Sequence, residues 1–184
     1  MSYTDYIKYQ LLKRDLILIS DNPNEYTLKS GIKSNFYINL KNLVKYPNLL
    51  SSITVYLSEL IKNKYSSLPN LYIAGIPYGG ITLATNISML LNLPQLIIRK
   101  EVKSYGTKKQ IEGLPNDSNT PINIILIEDV ISSGKSINEI HDLLTNNTNI
   151  QINIIDIYSI VYRGESPKII NLNFNYIFHK NDLI

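Results

Sequence analysis

The strongest constraint on this chain is an alternation. Short, nearly uninterrupted apolar runs recur along it: LYIAGI from Leu71, QLIIRK from Gln95, INIILIEDV from Ile122 and IQINIIDIYSIVY from Ile150. Continuous apolar character over a few residues marks a strand buried on both faces, because a strand with one wet face would alternate. Between the runs, ITLATNISMLLN and GKSINEIHDLLTNN carry apolar residues at helical spacing. Pro47 can open a helix from its first turn, and NLLSSITVYLSELIKN continues it with an apolar face. Strands alternating with helices imply an α/β fold with a mainly parallel sheet covered on both faces. At 184 residues the chain is long enough for one domain, 1–184, with a sizeable core. Upstream, Tyr3, Tyr6, Ile7, Leu11 and Leu12 predict a helix over about Tyr3 to Ile17. EYTLKSGIKSNFYINL then reads as two short strands around a Lys-Ser-Gly turn.

Composition narrows the function. Lys and Arg number 18 against 15 Asp and Glu, a net charge of +3 that is too small to point to nucleic acid as the main partner. There is no cysteine, which excludes disulfides and thiolate metal sites and fits a reducing compartment. MSYTDYIKYQ lacks the apolar core of a signal peptide, and no stretch approaches the roughly 18 apolar residues of a membrane span. The expectation is a cytoplasmic protein with no membrane partner. The two histidines, His141 and His179, receive no role at this level.

Open parallel sheets bind ligands at the carboxyl ends of their strands. Three unusual segments fall there: GIPYGG, RKEVKSYGTKK and EDVISSGKS. The last ends like a P-loop, but the position of the first P-loop glycine is Asp129, preceded by Glu128. A carboxylate there would repel a phosphate, so the P-loop reading fails. What remains is two acids followed by a turn of Ser132, Ser133 and Gly134 that opens a helix. Backbone amides at such a helix start bind anions, and acids accept hydrogen bonds from hydroxyls or hold Mg²⁺ through water. A sugar phosphate satisfies both halves; a plain capped strand-to-helix turn is the bland alternative. In the second segment Arg99, Lys100, Lys103, Lys108 and Lys109 are opposed only by Glu101. Such a run is either solvated surface or, with Gly106 as hinge, a lid that clamps an anion. In the first, Gly75, Gly79 and Gly80 allow close approach to a ligand or equally serve packing.

Taken together, these segments resemble the type I phosphoribosyltransferases and, within them, the orotate phosphoribosyltransferases. IILIEDVISSGKS resembles the family's signature for phosphoribosyl diphosphate (PRPP), YTLKSGIKSNFYINL its N-terminal hood, and RKEVKSYGTKKQIEG its catalytic loop in the animal form. The likeness runs in order from about Tyr3 to Phe178. It implies a type I phosphoribosyltransferase fold whose small hood is built mainly from residues 1–45 and the C-terminal segment.

The resemblance also implies roles. Lys29 would contact PRPP from the hood, Tyr78 and Gly79 would lie by its diphosphate, and Arg99, Lys100, Lys103 and Tyr105 would close over it. Glu128 and Asp129 would hold the ribose hydroxyls and, with Lys103, form the catalytic set. Val130, Ile131, Ser132, Ser133, Gly134, Lys135 and Ser136 would wrap the 5-phosphate. Tyr37, Ile38, Ser132 and Arg163 would receive orotate, since a guanidinium fork matches carboxylate and carbonyl oxygens. Mg²⁺ would arrive on PRPP with no assured direct protein ligand, reaching Glu128 and Asp129 through water at most. The implied unit is a homodimer that shares its catalytic loop. In animals the domain is fused to a decarboxylase; with this chain ending at Ile184, the expectation is a separate decarboxylase. Three positions depart from the family pattern: Asn35 stands for a proline, Gly79 for Lys or Thr, and Tyr162 for the acid before the arginine. The alternatives are transfer to another base and a PRPP-sensing regulator without catalysis.

Overall fold

The structure is a computed structural model; it describes residues 1–27, 31, 33–101, 110–116, 119–146, 148–164, 169 and 172–184. Helix α1 (Tyr3–Lys13) opens on a capping box. Ser2 Oγ accepts from the Asp5 amide and Asp5 Oδ2 from the Ser2 amide, both at 3.0 Å. It is shorter than the helix predicted to Ile17. Asp15 turns the chain at φ 53°, and β1 (Ile17–Ile19) follows. The hood run gives three pieces, β2 (Tyr26–Thr27), β3 (Lys33–Ser34) and β4 (Phe36–Ile38), rather than the two expected. The division falls at Asn35, where Ser34 Oγ bonds the Phe36 amide and carbonyl. β1 pairs antiparallel with β4, and β2 with β3. A 3₁₀ helix, Leu40–Lys45, leads to α2 (Pro47–Tyr65), which starts at its proline as expected.

The main sheet contains β5 (Leu71–Gly75), β6 (Gln95–Ile98), β7 (Ile111–Glu112), β8 (Ile122–Ile131), β9 (Ile152–Tyr162) and β10 (Phe174–His179). Its order is β10-β9-β8-β5-β6-β7, parallel throughout except for β7. The four strands anticipated are present; β7 and β10 extend the sheet at its two edges. α3 (Gly79–Leu91) links β5 to β6, and α4 (Lys135–Asn146) links β8 to β9. The chain moves outward from β5 to β6 and then returns to β5's other side as β8. That reversal opens a crevice between the carboxyl ends of β5 and β8.

Burial follows the two faces. Ile53, Leu57, Ile87, Ile125 and Ile127 pack with the hood residues Ile7, Leu11, Ile17 and Phe36 on one side. Ile124, Leu126, Ile137, Ile140 and Leu144 pack on the other, beneath α4. Each fully buried Ile or Leu contributes about 1.5–3 kcal/mol. Among the described residues the hood therefore joins the core under α2 and α3. Gly80 lets α3 approach β8, since a Cβ there would lie 2.1 Å from the Ile127 carbonyl oxygen. Among the described residues no helix is long and apolar enough to cross a membrane.

Candidate active site

The crevice is built from β5's exit and the last third of β8. Beyond Gly75 the chain passes through Ile76, Pro77 and Tyr78 into α3; the Pro77–Tyr78 peptide is cis. Across the gap Glu128 and Asp129 lie within β8, which stays paired with β9 as far as Ile131 opposite Tyr162. The acids are thus part of the ladder and not of the turn after it. A Cβ on Gly79 would sit 2.2 Å from Asp129 Oδ2. The missing side chain at position 79 is therefore matched by a carboxylate in its place, and the two halves of the predicted PRPP site meet here. A cavity of about 190 Å³ adjoins them, lined by Tyr78, Gly79 and Asp129 with Leu40, Val44 and Leu83.

The two acids differ. Asp129 Oδ1 accepts from the Val130 amide at 2.9 Å, and its other oxygen faces the glycine turn. Glu128 is 8% exposed, and its Oε1 accepts from the Asp129 amide at 3.1 Å. Burial, then hydrogen bonding to and repulsion by Asp129, push the Glu128 carboxyl well above the usual carboxylate range; Lys100 pulls weakly the other way. The pair offers two adjacent carboxyl groups to neighbouring hydroxyls, with burial favouring the protonated form of Glu128.

Ser132, Ser133 and Gly134 form the turn to α4, with Gly134 at φ 81°, a left-handed conformation that suits glycine. The first helical bond runs from the Asn138 amide to the Gly134 carbonyl at 3.0 Å, and the Lys135 amide reaches Ser133 Oγ at 3.4 Å. Amides earlier in such a turn lack partners within the helix. Ile131 is buried, while Val130, Ser132 and Ser136 are half-buried.

Of the basic residues, Lys100 comes to the acids: its Nζ lies 5.4 Å above the Tyr78 ring and within the field of Glu128. Arg99 Nη2 lies 3.6 Å from Glu112 Oε1, and Arg99 and Lys100 together line a second cavity of about 510 Å³ with Pro77, Gln110, Ser136 and Glu139. Sequence reasoning missed Gln110, whose amide donates to the Arg99 and Lys100 carbonyls and ties the basic run to its base. The only signal was QIE, an incipient strand hidden in a polar segment. Lys29, Lys103 and Tyr105 lie outside the described residues.

At the base end, the Arg163 amide donates to the Ile131 carbonyl at 2.8 Å, so β8's ladder carries the arginine. Burial holds its guanidinium below the usual range, and among the described residues Tyr37 acts on it to raise it, with no carboxylate contributing. Tyr37 is thus within electrostatic reach of Arg163, while Tyr26 stacks on Tyr37 at 5.7 Å. Ile38 is half-buried at the end of β4. Tyr162, in the place of the usual acid, is buried against Phe174 at 5.1 Å.

Comparison with known proteins agrees with this geometry. Residues 39–174 match the family model described as the phosphoribosyl transferase domain. The chain is 39% identical over 122 residues to an orotate phosphoribosyltransferase of Caenorhabditis elegans, a match covering 66% of this chain and 52% of that one. It therefore spans about half the length of that relative. It is 33% identical over 136 residues to an orotate phosphoribosyltransferase of Methanococcus maripaludis, covering 71% of each. The crystal structure of orotate phosphoribosyltransferase from Aeropyrum pernix superposes with a TM-score of 0.73 at 24% identity, over 96% of this chain and 95% of that one. With the fold, the crevice and the matches in accord, this chain belongs to the phosphoribosyltransferase family and has the type I phosphoribosyltransferase fold.

Proposed function

We propose that the chain transfers the 5-phosphoribosyl group from PRPP to N1 of orotate, giving orotidine 5′-monophosphate and diphosphate on the route to UMP. The observation that carries this reading is the meeting of Gly79 and Asp129 across the crevice, which sets a diphosphate turn against a ribose-binding acid. The orotate phosphoribosyltransferase relatives, and Arg163 held at the end of β8 within electrostatic reach of Tyr37, favour orotate as the acceptor.

In the reaction the bond from N1 to the ribose C1 forms, the bond from C1 to the diphosphate oxygen breaks, and the electron pair leaves with diphosphate. N1 gives up its proton to water. Glu128 and Asp129 hold the ribose hydroxyls, and Asp129's negative charge favours the cation growing at C1. The turn from Val130 to Ser136 holds the 5-phosphate. Tyr78, Gly79 and Lys100, with Lys29, Arg99, Lys103 and Tyr105, receive the diphosphate. Arg163, Tyr37, Ile38 and Ser132 orient orotate. Aligning two bound substrates lowers the barrier by several kcal/mol, about 7 at the low end for ideal alignment.

Among the described residues no group of three His, Cys, Asp or Glu could enclose a metal. Asp129, with the neighbouring Glu128 carboxyl, fits instead a hydrated Mg²⁺ brought by PRPP, an ion that keeps several waters and uses few protein ligands. When bound it would supply charge neutralisation at the diphosphate. We take the working form to be a cytoplasmic homodimer in which residues 1–184 form one phosphoribosyltransferase domain and the catalytic loop is shared.

The test is depletion of orotate absorbance with PRPP and Mg²⁺, with adenine, guanine and uracil as controls. Orotate alone is expected to be consumed. Turnover of a purine with orotate untouched would replace this reading.

A further inference from the structure

His179 has no part in the machinery above, yet it is tied to the residue next to Arg163. Its Nε2 lies 3.3 Å from the Gly164 carbonyl oxygen. Its Nδ1 accepts from the Asn181 amide at 3.3 Å, and its own amide donates to Asp182 Oδ2 at 2.7 Å. Because Nδ1 is an acceptor, this network assigns the ring proton to Nε2, which donates to Gly164. The ring is held from the side by Tyr162 at 5.3 Å, its partner across the β9–β10 ladder.

Gly164 is tightly placed in turn. A Cβ there would lie 2.3 Å from the Ser132 carbonyl oxygen and 2.9 Å from the Tyr162 ring. Gly164 thus runs against the phosphate turn on one side, and its carbonyl is fastened by His179 on the other. The Arg163 amide is fixed to Ile131. The amide of Arg163 and the carbonyl of the residue after it are thus both anchored, which fixes the stretch of backbone from which the guanidinium extends; among the described residues no carboxylate acts on that group.

We infer that His179 is a positioning residue for the acceptor base: through its bond to Gly164 it aims Arg163 into the base end of the crevice. This rests on the reading of Arg163 as the group that binds orotate.

Two substitutions separate positioning from capping. His179→Asn keeps an acceptor near Nδ1 for the Asn181 amide but cannot reach Gly164. His179→Gln places an amide N–H near Nε2 and restores that reach. The expected result is a rise of about 5- to 10-fold in the KM for orotate in His179→Asn, the size of one lost hydrogen bond, with the KM for PRPP unchanged. His179→Gln should return the orotate KM to near its original value. Independently of turnover, the Arg163 Nε–H NMR signal, assigned by its loss in Arg163→Lys, should broaden in the Asn variant and sharpen in the Gln variant.

The inference is overturned if the Asn variant leaves both the orotate KM and the Arg163 signal unchanged, or if the two variants behave alike. Should the unaltered chain not consume orotate, the functional reading falls and the NMR signal decides alone. A signal that depends on His179 then supports the positioning, and one that does not overturns it.

Discussion

Asp156, early in β9, and Glu128, late in β8, are carboxyl groups on neighbouring strands of one sheet, 0% and 8% exposed. Around Asp156 everything is arranged to hold charge. Oδ2 accepts from Lys64 Nζ and the Tyr65 hydroxyl, both at 2.7 Å; Oδ1 accepts from Asn175 Nδ2 at 2.7 Å and the Ile157 amide at 2.9 Å. Its charge shows in its neighbours: with burial, it helps push the Tyr158 phenol up to about 12, and it raises the Lys64 ammonium. Glu128 has one backbone donor and a second acid beside it. The lesson is that burial alone does not make a carboxyl group functional. A saturated acid stabilises the fold, whereas an under-supplied one at a strand's exit is left to be completed by a ligand.

That contrast can be broken by experiment. The largest effect is expected from Asp156→Ala, which removes the acceptor for four donors. Loss of one partner of a buried pair costs about 3–5 kcal/mol, and the half-exposed Lys64 places this case near the lower end. Urea denaturation measures it, and turnover per folded molecule should not change. A loss in turnover with stability intact would reverse the roles assigned to the two regions.

Next comes Asp129→Asn, expected to lower kcat/KM by about 10- to 100-fold, the value of a hydrogen bond to a charged group at about 1.5–3 kcal/mol. Its denaturation midpoint should stay close to that of the unaltered chain. A fall in stability as large as that of Asp156→Ala would erase the distinction.

The smallest effect is on pH dependence. The folded state keeps the Glu128 proton that the unfolded chain releases above about pH 4.5, so the folded form binds more protons there. Stability from this group is full at lower pH and declines as pH climbs from that value toward the raised folded one. Glu128→Gln should flatten the decline and be at least as stable as the unaltered chain at neutral pH. A steeper slope in the variant would contradict the burial argument.

The parallel sheet and the crevice were legible because their signals are local. Apolar runs mark doubly buried strands, and two acids followed by small residues interrupt one of them. The edges were less so. NFNYIFHK alternates polar and apolar residues, and its half-buried strand is defined by Tyr162 and Asn175's contact with Asp156, partners remote in sequence. β1 was merged with α1 since the left-handed turn at Asp15 leaves the apolar spacing unbroken. Asp156 drew no notice as a lone acid in an apolar run, for its partners come from α2 and β10. His179 was passed over for the same reason: a capping and reaching role depends on what surrounds it.

Between β8 and β9 the ladder slips once, so that Ile124 faces Ile154 but Ile125 faces Asp156. Asp156 lies immediately past that slip and is bolted to α2 and β10. It acts as a datum from which the rest of β9 is counted, out to Arg163. Slack introduced nearer Gln151 would be absorbed at the slip, whereas one residue gained or lost beyond Asp156 would turn the arginine to the sheet's opposite side. Tolerance to insertion should therefore change abruptly at this single position along the strand.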